Sequence, residues 1–265
     1  MNIDRRRILG PAAAAVPLRS TTTDPRQCGT PDGSHIKFFL KSGLLKNAAG
    51  LAYVETDDTI VEISVYGPRP IRGLYIERAS LSVECRFLPY ITQPNEVVFN
   101  GSSSTQGRTG LTSIEHRLLA FLETALLAAV PLEKYPKSTI DVFINVLSFN
   151  ASTRSLLHLA AWSATGASVA MVDAGIEMRD LVTAGHVLVA GGETLLDPTV
   201  CDDAGMECVA CFTAMNNNEA VSVWIDGAAQ GLETLAAQLE GCRRMSSLVR
   251  SNVNGYLLGA AGQPS

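Results

Sequence analysis

The stretch Thr139-Ile-Asp-Val-Phe-Ile-Asn-Val-Leu147 alternates between apolar and polar residues, which is typical of a β-strand with one buried face. After a short loop, the apolar residues from Ser155 to Ala174 predict a long helix. Gly175 follows the helix, and glycine readily takes the left-handed conformation that ends a helix. This strand and helix predict a junction between two halves of the chain near residue 150.

Further strands and helices are predicted on both sides of this junction. The strands on the amino-terminal side are predicted at 36–40, 50–55, 60–66 and 79–87, and together they suggest an antiparallel sheet with one face covered. A helix capped by Ser113 follows them and ends at Pro131 or Pro136. On the other side, strands are predicted at 187–190, 194–197, 207–215 and 221–226, and the last helix at 232–249. This order indicates an α+β fold with two β-sheet-plus-helix halves. The predicted division is an amino-terminal arm at 1–26, a first domain at 27–150 and a second at 151–265.

The composition supports a packed core and argues against a free-standing nucleic-acid binder. Hydrophobic residues make up 46% of the 265 residues and charged residues 18%, which is typical of a globular protein. The net charge of -5 lacks the basic field that attracts phosphates. If this protein meets a nucleic acid, we expect local arginines or partner proteins to provide the contact. No apolar run reaches the length of a membrane span.

The six cysteines are too scattered for a disulfide framework, which predicts reduced thiols in a cytosolic or nuclear protein. Cys208 and Cys211 have the spacing of a zinc or redox pair but lie in an apolar, strand-like run. On a strand, residues three apart point to opposite faces, so core cysteines are the preferred interpretation.

An arginine run near the amino terminus, Arg5-Arg-Arg7, superficially resembles a twin-arginine export signal. Pro11 and Pro17 interrupt the apolar stretch that follows, and no convincing cleavage site is present. A solvated basic arm is the favoured interpretation.

Six segments spread along the chain resemble one family pattern. They are Asp4-Arg-Arg-Arg-Ile-Leu-Gly-Pro-Ala-Ala-Ala14, Tyr66-Gly-Pro-Arg-Pro-Ile-Arg-Gly73, Leu132-Glu-Lys-Tyr-Pro-Lys-Ser-Thr-Ile-Asp-Val-Phe143, Asp173-Ala-Gly-Ile176, Leu195-Leu-Asp-Pro-Thr199 and Leu239-Glu-Gly-Cys-Arg-Arg244. The pattern resembles the RNase PH family, in particular the RNase PH-like subunits of the eukaryotic RNA exosome ring. The resemblance covers nearly the whole chain and implies the RNase PH fold. It also implies that the amino-terminal arm packs along a neighbouring subunit.

The resemblance also implies which residues phosphorolysis of RNA would need. A strand-to-helix turn similar to Asp-Gly-Gly-Ser/Thr-Arg-Thr grips the attacking phosphate at a helix amino terminus. A pair of aspartates further along supplies acid catalysis or holds a divalent metal.

The phosphate grip is degraded in this sequence. Thr153-Arg154-Ser155 suggests the grip, but Asn150-Ala-Ser152 stands where the acidic residue and the glycines belong. Counting back from Asp173 instead places the grip at His158-Leu-Ala-Ala161, with Ala160 in the place of the arginine. In that register, residues 150–155 are a loop insertion and Arg154 is a surface charge.

The acidic pair is incomplete. Asp203 matches the first aspartate by spacing, but Val209 stands where the second belongs, beside Glu207 and Cys208. Asp202 and Asp203 are equally compatible with a solvated turn, which is the favoured interpretation.

Other catalytic patterns are missing from the sequence. The four histidines, His35, His116, His158 and His186, share no metal-ligand spacing, so we expect surface or satisfied core residues. The glycines form no nucleotide-binding pattern. We therefore expect no catalytic residues, no metal and no cofactor.

The functional expectation is a non-catalytic ring subunit of the RNA exosome, and the alternative is an active phosphorolytic 3′ to 5′ exoribonuclease. By resemblance, six RNase PH-like subunits form a ring, RNA threads through it, cap proteins bind it, and an associated nuclease degrades the RNA. The resemblance implies the nucleus, nucleolus and cytoplasm as locations.

Arg69 and Arg72 are the candidate RNA-binding or subunit-interface residues, because turn residues place both at the end of a strand. Ordinary solvated arginines or an internal salt bridge are the alternatives for them.

Overall fold

The computed structural model describes residues 36–73, 75–91, 113–151, 153–190, 193–199, 206–213, 219–227 and 231–261. The predicted arm at 1–26 therefore lies outside the described residues, as do Asp202, Asp203 and His35.

The first sheet has five strands in the order β1-β2-β3-β5-β4. The strands are β1 (Phe39–Ser42), β2 (Gly50–Thr56), β3 (Thr59–Pro70), β4 (Ser80–Phe87) and β5 (Ser138–Ser148). In β5 the apolar residues Ile140, Val142, Ile144 and Val146 are buried, and the residues between them are only partly covered. The alternation in the sequence thus predicts correctly which face of this strand packs on the core.

The sheet differs from the predicted antiparallel arrangement in one pairing. Strands β1, β2, β3 and β5 pair antiparallel, but β4 pairs parallel with β5. A parallel pairing requires a long crossover connection, and helix α1 (Ser113–Ala129) lies in this one. The helix begins at the serine predicted as its cap and ends just before Pro131.

Helix α2 (Leu156–Asp173) is buried from Leu157 to Met171. It contacts β2 and β3 of the first sheet and β6 and β8 of the second. A helix covered on all sides must be apolar all round, which explains why its sequence shows no polar stripe.

The predicted end of α2 is confirmed. Gly175 has a φ of 69°, its amide donates to the Val172 carbonyl, and the Ile176 amide donates to the Met171 carbonyl at 3.1 Å. These two bonds form a Schellman motif. Asp173 accepts a hydrogen bond from the Leu51 amide at 2.9 Å, which ties this end of the helix to β2.

The second sheet has four strands in the order β7-β6-β8-β9. They are β6 (Thr183–Ala190), β7 (Glu193–Leu196), β8 (Met206–Thr213) and β9 (Glu219–Asp226), and all pairings are antiparallel. Helix α3 (Leu232–Ala261) covers this sheet and extends beyond the predicted end at Val249. Cys208 and Cys211 lie buried in β8 as free thiols, so the core interpretation is confirmed.

The two sheets and the three helices share one continuous hydrophobic core. The α+β fold class is thereby confirmed, and the proposed boundary at residue 150 falls between β5 and α2. Among the described residues, no helix is long and apolar enough to cross a membrane.

Candidate functional site

The turn between β5 and α2 holds the residues that the sequence singles out as a phosphate grip. The amides of Thr153 and Arg154 both donate to the Asn150 carbonyl at 3.0 Å, which closes the turn. The Ser155 hydroxyl then caps the helix by accepting from the His158 amide at 3.4 Å. Thr153-Arg154-Ser155 therefore lies at the helix amino terminus, whereas the alternative register, His158 to Ala161, lies buried inside the helix.

Arg154 is not the surface charge expected from that register, because the residue is only 4% exposed. Its guanidinium pairs with Asp57 and lies 3.5 Å from an Asp197 carboxylate oxygen. It also donates to the carbonyls of Asp197 and Pro198 at 3.2 and 3.3 Å. The prediction of a surface charge was wrong because contacts from two other segments enclose the side chain.

The hairpin between β2 and β3 brings acidic groups to this turn. Thr153 donates through its hydroxyl to an Asp58 carboxylate oxygen at 3.3 Å, and the Ser148 hydroxyl donates to the Asp58 carbonyl at 2.9 Å. A phosphate approaching Arg154 would meet the carboxylates of Asp57 and Asp58, and like charges repel each other.

Behind Arg154, two histidines converge on Asp197. His158 lies on α2, His186 on β6, and Asp197 directly follows β7. The Nδ1 atom of His158 lies 2.7 Å from Asp197 Oδ1, and that of His186 lies 3.8 Å from the same oxygen. The two histidines are 0% exposed and Asp197 is 3% exposed.

The opposite ring nitrogens of the histidines have partners of their own. His158 Nε2 lies 3.3 Å from the Thr56 hydroxyl. His186 Nε2 lies 3.3 Å from the Ser155 hydroxyl and 3.5 Å from a Glu207 carboxylate oxygen. Thus Thr56, Ser155 and Glu207 orient the rings so that both Nδ1 atoms face Asp197.

Burial and charge act against each other in this cluster. Burial lowers the pKa of His158, and Asp197 offsets this only partly. Burial also acts to lower the pKa of His186, but Asp197 and Glu207 outweigh it and raise that pKa above its usual value. Burial acts to raise the pKa of Asp197, yet His158, His186 and Arg154 hold it well below its usual range. The carboxylate therefore stays ionised, and the site carries negative charge where both histidines meet it.

The site can hold a metal, which the spacing of the histidines in the sequence does not predict. His158, His186 and Asp197 each offer a ligand atom, and these atoms lie within 4.8 Å of one another. The histidines are 28 positions apart and meet only because β6 packs against α2. His158 and His186 are core residues and His116 is exposed, which are the two settings expected for the histidines, but the expectation did not include the meeting of His158 with His186.

The acidic pair that the family resemblance requires is only partly visible. Asp203 lies outside the described residues. Val209, at the position of the second aspartate, is completely buried in β8. Glu207 is two residues away, and its carboxylate faces His186.

Arg69 and Arg72 lie at the far end of β3. Arg69 pairs with Asp141, its guanidinium lies 5.8 Å from the centre of the Tyr66 ring, and its side chain remains 57% exposed. Arg72 is exposed just beyond the strand. Arg69 thus forms an internal salt bridge, which was one of the alternatives for it. The RNA-binding or interface role of the two arginines stays a prediction.

Comparison with known sequences shows to which family this chain is related. Residues 37–177 match the family described as "3′ exoribonuclease family, domain 1". The exosome complex component Rrp41 of Nitrosopumilus maritimus is 28% identical over 85% of this chain and 88% of its own length. Rrp41 of Pyrococcus furiosus is 35% identical over 60% of this chain and 58% of its own length, so that alignment spans little more than half of the relative.

Solved structures show the same architecture. Rice Rrp46 superposes with a TM-score of 0.59 over 82% of this chain and 94% of its own, at 21% identity. A chain of the Archaeoglobus fulgidus exosome with RNA bound to the active site gives a TM-score of 0.61 at 19% identity, over 82% of this chain and 88% of its own. At these identities the likeness concerns the fold alone. With a family match over more than half of its length and the two-sheet fold of these structures, this chain belongs to the RNase PH 3′ exoribonuclease family.

Proposed function

We propose that this chain is a non-catalytic structural subunit of an RNA exosome core ring, supporting 3′ to 5′ RNA processing and degradation by forming part of the channel through which RNA threads. Its partners are other RNase PH-like subunits in a six-membered ring, cap proteins and an associated nuclease. Among such subunits, the six sequence segments most resemble the mRNA-transport-regulator type of the eukaryotic ring. The proposed locations are the nucleus, the nucleolus and the cytoplasm, and the processed RNAs include ribosomal RNA.

The observation that carries the non-catalytic role is the state of Arg154. Its guanidinium is held by Asp57, Asp197 and two backbone carbonyls, so both of its terminal nitrogens already have partners inside the protein. A phosphate would have to displace these contacts, and it would do so beside the carboxylate of Asp58 at the tip of the β2–β3 hairpin. The apolar Val209 in place of a second aspartate supports the same conclusion.

The ring role is supported by the relatives, which are named exosome complex components, and by the fold shared with subunits of known exosomes. The exposed apolar side chains Tyr75, Tyr90, Leu232 and Leu258 also fit a protomer with protein neighbours.

The alternative, an active phosphorolytic 3′ to 5′ exoribonuclease, is favoured by one observation. Thr153-Arg154-Ser155 does lie at the amino terminus of a helix, where the backbone amides attract anions. An active enzyme would require Arg154 to leave Asp57 and Asp197 when phosphate binds.

One assay separates the two functions. The purified chain, alone and with its ring partners, is incubated with single-stranded RNA and inorganic phosphate, and nucleoside diphosphates are measured. We expect none from this subunit, and Arg154→Ala should leave any activity of the assembled ring unchanged. Diphosphate release that is lost in an Arg154→Ala variant shown by circular dichroism to be folded would establish the exoribonuclease. Affinity capture from native cells with identification of the bound subunits tests the ring role and its neighbours.

A further inference from the structure

The buried cluster of His158, His186 and Asp197 has no part in the proposed scaffold function. Burying ionisable groups is costly unless each group is paired. Three apolar side chains would fill the same space without this cost in free energy. The presence of ionisable groups here therefore needs a specific explanation.

The first argument is geometric. Zinc binds histidine nitrogens and carboxylate oxygens at about 2.0–2.2 Å, and tetrahedral ligand atoms then lie about 3.3 Å apart. In the structure His158 Nδ1 is hydrogen-bonded to Asp197 Oδ1 at 2.7 Å, a bond that an ion would replace, and His186 Nδ1 lies 3.8 Å from the same oxygen, so the two distances fall on either side of that spacing. Small side-chain shifts would equalise the two distances around an ion.

The second argument concerns the far sides of the rings. Histidines that bind a metal usually use their other ring nitrogen in a hydrogen bond that fixes the orientation of the ring. Here Thr56 lies 3.3 Å from His158 Nε2, and Ser155 lies 3.3 Å from His186 Nε2. Both Nδ1 atoms are thereby left to face the carboxylate.

The third argument is an unsatisfied polar atom. His186 Nδ1 is completely buried and has no hydrogen-bond partner among the described residues, since the 3.8 Å to Asp197 is too long for one. Buried polar atoms of this kind need a partner, which a water, an ion or a ligand can supply, and His186 is the one among them that faces a second histidine and a carboxylate.

Charge balance points the same way. The carboxylates of Asp57 and Asp197 face the Arg154 guanidinium, and that of Glu207 faces His186, so three carboxylates lie around the two histidines and one guanidinium. A divalent cation at the histidines would help to balance these carboxylates.

We propose that His158, His186 and Asp197 bind one divalent transition-metal ion, with zinc as the best fit, in a structural centre that joins α2 to the second sheet. The three ligands come from α2, β6 and the end of β7. The ion would therefore link three elements that are separate in the sequence. Zinc would need only one ligand besides these three side chains, such as a water, whereas ions that take six ligands would need three more in a site where the three side chains are almost fully buried.

The test uses the full chain, stripped of metal with a chelator and then freed of the chelator. Titration with Co²⁺ should produce the visible bands of a tetrahedral cobalt site at one equivalent, and Zn²⁺ should displace them. Zinc should also raise the thermal unfolding midpoint of the chain.

Variants locate the site. His186→Gln and Asp197→Asn should lose the cobalt bands and the thermal shift, whereas His116→Gln, an exposed histidine, should keep both. Circular dichroism of each variant checks that it folds.

If a variant does not fold, the cobalt and zinc measurements on the unaltered chain still test the proposal. Absence of the cobalt bands and of a zinc-dependent shift there would overturn the proposal, as would retention of both in a folded His186→Gln. A proton shared between His186 and the carboxylates would then account for the cluster. The outcome is independent of the phosphorolysis and ring-capture tests, which do not measure metal binding.

Discussion

At the scale of single residues, Arg154 shows how a side chain that looks like an anion-binding group can serve the fold. Its guanidinium joins the β2–β3 hairpin, the turn before α2 and the segment after β7. Removing one member of a buried charged group leaves the others without compensation, which destabilises a protein strongly.

We therefore expect Arg154→Ala to lower the free energy of unfolding by about 3 kcal/mol, because Asp197 would remain buried without its cationic neighbour. Arg243→Ala, which removes an exposed arginine paired with Glu240 on α3, should change it by no more than about 0.5 kcal/mol. Urea denaturation of both variants provides the comparison. Equal, small effects would show that Arg154 does not hold these segments together.

The buried thiols make a second residue-scale prediction. Burial raises the pKa of Cys85 and of Cys211 well above the usual thiol value. Both should therefore resist iodoacetamide in the native protein from neutral to mildly alkaline pH, although an ordinary thiol becomes more reactive over that range. Because the unfolded chain loses these protons at lower pH than the folded chain, stability should fall as the pH rises above about 8.5.

Site-resolved mass spectrometry of the alkylated peptides, with urea-unfolded protein as the control, measures this protection. Native alkylation of Cys85 or Cys211 that increases with pH as in the unfolded control would contradict it.

At the scale of secondary-structure elements, close contacts between helix and sheet depend on glycine. A Cβ at Gly185 in β6 would overlap the backbone of Cys242 in α3, so this strand and helix approach more closely than a side chain allows. Gly255, also in α3, has open space around it.

Gly185→Ala should destabilise the protein by about 3 kcal/mol, because backbone must move to relieve the overlap. Gly255→Ala should stabilise it by up to about 1 kcal/mol, since alanine favours a helix more than glycine does. Thermal unfolding of the two variants should thus shift in opposite directions. A neutral Gly185→Ala would mean that α3 does not pack on β6 as closely as described.

Arg69 lies at the end of strand β3, and Arg72 lies just beyond it. Charge reversal at both, Arg69→Glu with Arg72→Glu, should either reduce RNA protection by the assembled ring, with a shallower salt dependence, or break a subunit contact. The double variant Arg179→Glu with Arg243→Glu, both at exposed positions, makes the same change in net charge elsewhere and serves as the control. Normal assembly together with an unchanged salt slope would remove Arg69 and Arg72 as a functional site.

At the scale of the whole molecule, assembly is the property that the proposed role depends on. The amino-terminal arm at 1–26 lies outside the described residues, and its basic and small residues cannot form a core of their own.

We expect deletion of residues 1–16 to weaken ring assembly more than it changes the fold, because such a segment gains order only by docking on a neighbour. Sedimentation of the reconstituted ring on dilution measures assembly, and thermal unfolding of the isolated chain measures the fold. If the deletion leaves the ring intact at dilutions that dissociate it normally, the arm does not contribute to assembly.

Local patterns in the sequence determined much of this protein. The alternation in β5, the mostly apolar residues of α2 and the stop at Gly175 predicted the correct elements, because periodicity and helix termini depend on residues close together in the chain. The resemblance of six segments likewise predicted the family.

Only the tertiary structure decided the parallel pairing of β4, the burial of Arg154 and the meeting of His158 with His186. Each of these depends on segments far apart in sequence that pack together, so the spacing of residues along the chain carries no signal for them. Which residue of a charged group becomes buried is determined by what surrounds it in space, and for Arg154 the surrounding atoms come from the β2–β3 hairpin and from the segment after β7.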